Sequence, residues 1–211
     1  MASDLFSPLG DVAALGGPVL VLLLLVSVFT LTLALLKTWR HQRAHVGRRR
    51  HLKTALQRWD EGDAAGAREA LDRSKHFLAP VVALGMTLAP EGEAAKRLES
   101  EAEQRFAPLE GGFRILDTVA QLAPLLGLLG TVLGMIEAFQ ALQDAGAQVD
   151  PSALAGGIWV ALLTTAAGLS VAMPTSIILS WFESRIDAER AFADYAVSVL
   201  TRPAKEAGHG A

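Results

Sequence analysis

Residues 18–36 read PVLVLLLLVSVFTLTLALL, and the first base of the chain, Lys37, follows immediately. Only Ser27, Thr30 and Thr32 interrupt the aliphatic and aromatic side chains of this run. At about 1.5 Å per residue, roughly 20 such residues cross a hydrocarbon core of about 30 Å. A cleaved signal peptide is the competing reading, and it needs a basic segment ahead of the apolar one. The only charged side chains before residue 18 are Asp4 and Asp11, so the run is read as a membrane-spanning helix.

The chain around this run has 211 residues, 51% hydrophobic and 19% charged, with a formal net charge of -3 and no cysteine. Its mean hydropathy of +0.33 is high for a globular chain, which carries about 25% charged residues. The near-zero net charge hides a segregated pattern. All 19 Lys and Arg residues fall in two blocks, 37–114 and 185–205. Between Asp117 and Glu137 the polar side chains are Gln121, Thr118 and Thr131, and Pro151 to Phe182 contains no charge at all. These stretches predict a second and a third span, the last of them longer than one bilayer and therefore tilted or extending past the headgroups.

The flanks set the direction. Lys37, Arg40, Arg43, Arg48, Arg49, Arg50 and Lys53 follow span one with no acid among them, while residues 143–151 carry Asp144 and Asp150 and no base. The positive-inside rule places the basic side in the cytoplasm. The expected fold is an all-α membrane protein with three transmembrane helices and a helical cytoplasmic insertion between the first and second. Its parts are a periplasmic N-terminus (1–17), spans at 18–36, 114–142 and 154–182, a cytoplasmic domain (37–113), a periplasmic loop (143–153) and a cytoplasmic tail (183–211). A polybasic segment beside a span is a signal for topology and anionic lipid. It is therefore not read as a nucleic-acid site.

Within the insertion, Leu52, Ala55, Leu56 and Trp59 share a helical face that ends at Glu61-Gly62-Asp63, and Asp63 can cap a second helix through Leu71. A short apolar helix is expected from Val81 to Leu88, between Pro80 and Pro90. Leu98, Ala102, Phe106, Leu109, Phe113 and Leu116 form a stripe running directly into span two, kinked or weakened near Pro108 and Gly111-Gly112. The stripe is too short to specify a coiled coil.

Motifs for covalent chemistry are absent. Without cysteine there is no disulfide, thiol nucleophile or Cys-based zinc site. There is no P-loop, no GxGxxG after a strand and no metal-spaced His/Asp/Glu cluster, so no enzyme activity and no cofactor are expected. The five histidines (41, 45, 51, 76 and 209) lie in charged or terminal segments and are expected to be solvated. His41 and His45 are four apart, but no carboxylate beside them completes a metal site.

Spans two and three carry small faces. At about 100° per residue, Pro124, Gly127, Gly130, Thr131 and Gly134 fall within an arc of roughly 120°. Ala161, Thr165, Gly168, Ala172 and Ser176 fall within one of about 80°. Such faces either let helix backbones approach closely or line a weakly polar cavity, and the pattern leaves both open. Neither span holds a central acid or base. An ion crossing here would need a titratable group from a partner.

The string Ala123-Pro124-Leu125-Leu126-Gly127-Leu128-Leu129-Gly130-Thr131-Val132-Leu133-Gly134-Met135-Ile136 closely resembles span two of the ExbB/TolQ/MotA family. Gly157-Ile158 and Ala161 through Leu169, followed by Ala172-Met173-Pro174, resemble its span three. Among the branches, ExbB is the nearest in pattern and TolQ the next, since MotA proteins have four spans. The resemblance implies a homopentamer in the bacterial inner membrane, enclosing an ExbD-like single-span subunit with a transmembrane Asp and driving a TonB-like protein. It implies that Thr131 and Thr165 line the proton pathway. The small residues Gly127, Gly130, Gly134, Ala161, Gly168 and Ala172 remain the helix-packing positions. Many relatives carry a glutamate where this chain has Val160, beside Trp159. Glu137 is the candidate for charge at the pore mouth, against a plainer reading as a headgroup-level acid. A TolQ-like envelope role, a motility stator and a non-conducting scaffold are the alternatives.

Overall fold

The computed structural model describes residues 2–88, 92–144 and 151–201. Among them are seven helices and no strand: α1 (Ala2–Arg43), α2 (Arg50–Asp60), α3 (Ala64–Asp72), α4 (Ala79–Gly85), α5 (Gly92–Glu110), α6 (Phe113–Asp144) and α7 (Pro151–Leu200). Three of these, α1, α6 and α7, contain segments long and apolar enough to span a membrane. At about 1.5 Å per residue a 50-residue helix such as α7 is roughly 75 Å long, well beyond a bilayer of about 40–45 Å. The charged C-terminal part of α7 therefore lies outside the span. The structure divides into two compact units, one of residues 1–34 and 112–180, the other of residues 35–111 and 181–211.

In the first unit, helix forms because every backbone group must be satisfied internally in hydrocarbon. Leu23 of α1 is buried against Ala123 of α6 and Ala172 of α7, with Val19, Leu126, Ala167 and Val171 around them. The large side chains mostly face outward: Leu25 is 55% exposed, Leu125 59% and Ile177 70%. This is the reverse of a water-soluble bundle, in which small residues would lie outside and leucines inside.

The second unit is built like a soluble domain. Leu52, Leu56, Leu98, Phe106, Phe182 and Ile186 are almost fully buried, each worth about 1.5–3 kcal/mol of transfer free energy. Asp63 caps α3 by accepting the Gly66 amide at 2.8 Å, as its place before that helix suggested. The short apolar helix begins at Ala79, ahead of Val81, because Pro80 fits the first turn, where no amide hydrogen is required. The stripe through Leu98, Ala102, Phe106 and Leu109 is buried, but it does not continue unbroken into the next span. Helix α5 stops at Glu110, and Gly112 adopts φ +93°, a left-handed conformation that ends a helix at low cost only for glycine. Lys37 donates its ammonium to the Leu109 carbonyl at 2.7 Å, satisfying one of the acceptors left over at the end of α5.

Candidate functional site

The site is the seam between α6 and α7 in the first unit. Gly127 lies against the backbone of Thr164, Thr165 and Gly168, Gly134 against Ala161, and Gly157 against Ala138. Residue numbers rise on one helix as they fall on the other, so the two run antiparallel. Small side chains set the spacing, because a Cβ at Gly168 would stand 2.5 Å from the Ala123 carbonyl oxygen and one at Gly130 would stand 2.6 Å from Thr164 Cβ. Ala123, Gly127, Gly130, Gly134 and Ala138 form the buried face of α6, opposed by Ala161, Thr164, Gly168, Ala172 and Thr175 on α7.

Thr164, which the sequence reading passed over, is a hydroxyl buried in this seam, 1% exposed. It donates to the Ala161 carbonyl at 2.7 Å and lies 3.3 Å from the Gly127 carbonyl across the seam. Thr165 donates to that same Gly127 oxygen at 3.3 Å and is half-buried. Thr131 is also half-buried and turns its hydroxyl back to the Leu128 carbonyl at 2.6 Å. On helical geometry, Thr131 and Thr165 each stand roughly 60° from the centre of their buried stripe. In an antiparallel pair both fall on one edge of the seam. Their hydroxyl oxygens keep acceptor capacity, since each spends only its single hydrogen on a carbonyl. The exposed Glu137 and the half-buried Val160 fall on the opposite edge, so Glu137 is not brought beside the two threonines.

The buried face of α7 is turned roughly 40° from the stripe read in the sequence, with Thr164 and Thr175 inside and Ser176 exposed. Either set is compatible with a 100° period. Contact with Gly130 decides between them, and one span alone gives no sign of its partner's glycine. A cavity of about 130 Å³ in the same unit is lined by hydroxyls of Ser27, Thr30, Ser170 and Thr175 beside Pro174.

In the second unit the expectation of solvated histidines fails for His41 and His76, which are 4% and 3% exposed. His76 Nδ1 accepts the Leu78 amide at 3.2 Å, which places the ring proton on Nε2, 3.3 Å from a carboxylate oxygen of Glu189. The other oxygen of Glu189 accepts the Gly47 amide at 2.7 Å and forms an ion pair with Arg49, whose Nε lies 2.9 Å away. Burial of this carboxyl pushes its pKa up, but the neighbouring His76 Nε2–H and the charge of Arg49 prevail and hold it below the usual glutamate range. The ring of His41 meets Phe182 at a centroid distance of 4.9 Å, and its Nδ1 donates to the Lys37 carbonyl at 3.0 Å. His209 lies outside the described residues.

A model of the MotA/TolQ/ExbB proton channel family matches residues 58–194, a segment that includes α6 and the part of α7 that forms the seam. A biopolymer transport protein of Synechocystis sp., named ExbB-like 1, is 35% identical over 168 residues, covering 75% of this chain and 64% of its own. An ExbB homologue from Methanothermobacter thermautotrophicus is 36% identical over 132 residues, 60% of this chain and 46% of that protein. The biopolymer transport protein ExbB of Neisseria meningitidis is 29% identical over 178 residues, 78% of this chain and 80% of its own. The chain thus spans 64% and 46% of the lengths of the first two.

Proposed function

The chain belongs to the MotA/TolQ/ExbB proton channel family, and from that premise we propose that it is an ExbB-like subunit of a proton-driven complex in the bacterial inner membrane. Five copies enclose a single-span, ExbD-like subunit whose transmembrane aspartate picks up and releases the proton, and the complex energises a TonB-like protein for outer-membrane import. In this reading the N-terminus is periplasmic and the C-terminus cytoplasmic, as the basic flank of span one suggests.

The observation that carries the reading is the shared edge of the seam. Thr131 and Thr165 stand on it together, and the apolar stretches around them hold no acid or base. A proton relay in hydrocarbon needs a titratable side chain, so the carboxylate must come from a partner held against this edge. The hydroxyls would supply weak acceptors along its path without trapping the charge. The test is purification with the single-span subunit encoded beside this chain, followed by counting the copies of each. A stoichiometric complex with an Asp-bearing span supports the proposal, whereas a stable homo-oligomer without such a subunit refutes it.

The Thr165 bond to the Gly127 carbonyl favours a second reading, in which the small faces only hold helices together in a non-conducting scaffold. Replacing Thr131 and Thr165 by Val separates the two, because only the conducting complex loses proton-dependent work while staying assembled.

A further inference from the structure

Two patches of the second unit lie on opposite sides of α7. A groove between α2 and α7 is lined by Arg49, just before α2, with Lys53 and Asp60 on that helix and by Ala188, Phe192 and Tyr195 on the other. A second depression, between α5 and α7, is lined by Glu99 and Glu103 together with Arg190, Asp194 and Val197. Around α7, at about 100° per residue, the two sets of lining residues point roughly 160–200° apart. Their charges differ in sign. The guanidinium of Arg49 is spent on the buried Glu189, the exposed Lys53 and Asp60 of the groove offset one another, and the exposed Arg50 beside it leaves that side net basic. On the other side Arg190 is engaged by Glu103 and Glu110, which leaves the exposed Glu99 and Asp194 to give that face its acidic character. Tyr195 stands 52% exposed at the basic groove, a large amphipathic side chain of the kind enriched in interfaces.

Opposed, complementary faces on one chain cannot pair with themselves across a two-fold axis. They generate a head-to-tail contact, which closes into a ring when the rotation per copy permits. We propose that the occupant of the α2–α7 groove is a second copy of this chain, which presents its α5–α7 acidic face, so that each second unit is both donor and acceptor around the ring. The proposal rests on the oligomeric reading above and deepens it by naming the surfaces that meet.

The absence of cysteine makes the test direct. Lys53→Cys and Glu99→Cys are introduced singly and together, and the full-length protein in membranes is treated with a short bis-maleimide. The double variant should give a ladder of cross-linked multimers that stops at the ring size, while each single variant stays monomeric on a denaturing gel. A dimer formed by either single variant overturns the proposal, because the contact is then isologous. A double variant without a ladder, whose native mass still shows the intact oligomer, overturns the interface but not the oligomeric reading. A monomeric native mass for the unmodified protein overturns both. As a second readout, Lys53→Glu should reduce recovery of the oligomer several-fold, and adding Glu99→Lys should restore it. Equal recovery in all three proteins refutes the charge pairing.

Discussion

Gly168→Ala probes the seam at its tightest point. The added Cβ would lie 2.5 Å from the Ala123 carbonyl oxygen and 3.1 Å from Gly127 Cα, both of them backbone atoms that cannot rotate away. Non-bonded heavy atoms settle at about 3.5 Å or more, so α6 and α7 must part by roughly 1 Å. That movement carries the 3.3 Å bond from Thr165 to the Gly127 carbonyl beyond hydrogen-bonding range. Each such interhelical bond averages about 0.6 kcal/mol in a membrane, and overpacking adds about 1–3 kcal/mol. Alanine returns about 1 kcal/mol of helix propensity, which leaves a net loss of about 1–3 kcal/mol. Gly156→Ala is the internal control, since nothing lies within 4 Å of its new Cβ and only the propensity gain remains. Unfolding of the two purified variants in mixed micelles, titrated with a denaturing detergent and followed by helicity, should place Gly168→Ala below the parent and Gly156→Ala at or above it. Equal stability of the two variants would refute the close approach of the helices.

Other outcomes follow from the same geometry. Thr164→Val keeps the shape but removes the buried hydroxyl, and should cost about 1 kcal/mol in the same unfolding titration. Glu189→Ala leaves the half-buried Arg49 and the buried His76 without their carboxylate, and should lower the stability of the second unit by about 1–3 kcal/mol, read as the thermal midpoint of the purified protein. The depressed pKa of Glu189 stabilises the fold above the unfolded glutamate value of about 4.3, and this contribution is lost as pH falls through the lower, folded value. Melting should therefore become easier on acidification through that window, and Glu189→Gln should flatten the dependence. Arg190→Ala removes partly exposed pairs with Glu103 and Glu110, so at most about 1 kcal/mol should be lost in the same thermal assay.

The spans were legible because hydrocarbon imposes a composition that no soluble helix needs, and residues 18–36 show it without any partner. The cap at Asp63 and the buried stripe from Leu98 to Leu109 were equally local, each contact set by residues three or four positions apart. Rotation of α7 was less accessible. Thr164 and Thr165 are neighbours with the same side chain, and the one that is buried is chosen by Gly130 on another helix. Glu189 was invisible for a similar reason. It sits among Asp187, Arg190 and Glu183 in what reads as a solvated charged face, and its partners Gly47, Arg49 and His76 are more than 100 positions away. A charged residue in a charged segment gives no local sign that its carboxylate is desolvated.

The central claim concerns the edge that Thr131 and Thr165 share. Its most direct test is proton uptake by liposomes containing this chain and the proposed Asp-bearing partner, under an imposed membrane potential. The Thr131→Val, Thr165→Val double variant should assemble with unchanged stoichiometry and conduct far more slowly than the parent complex. Undiminished proton flux through the assembled double variant would contradict the account.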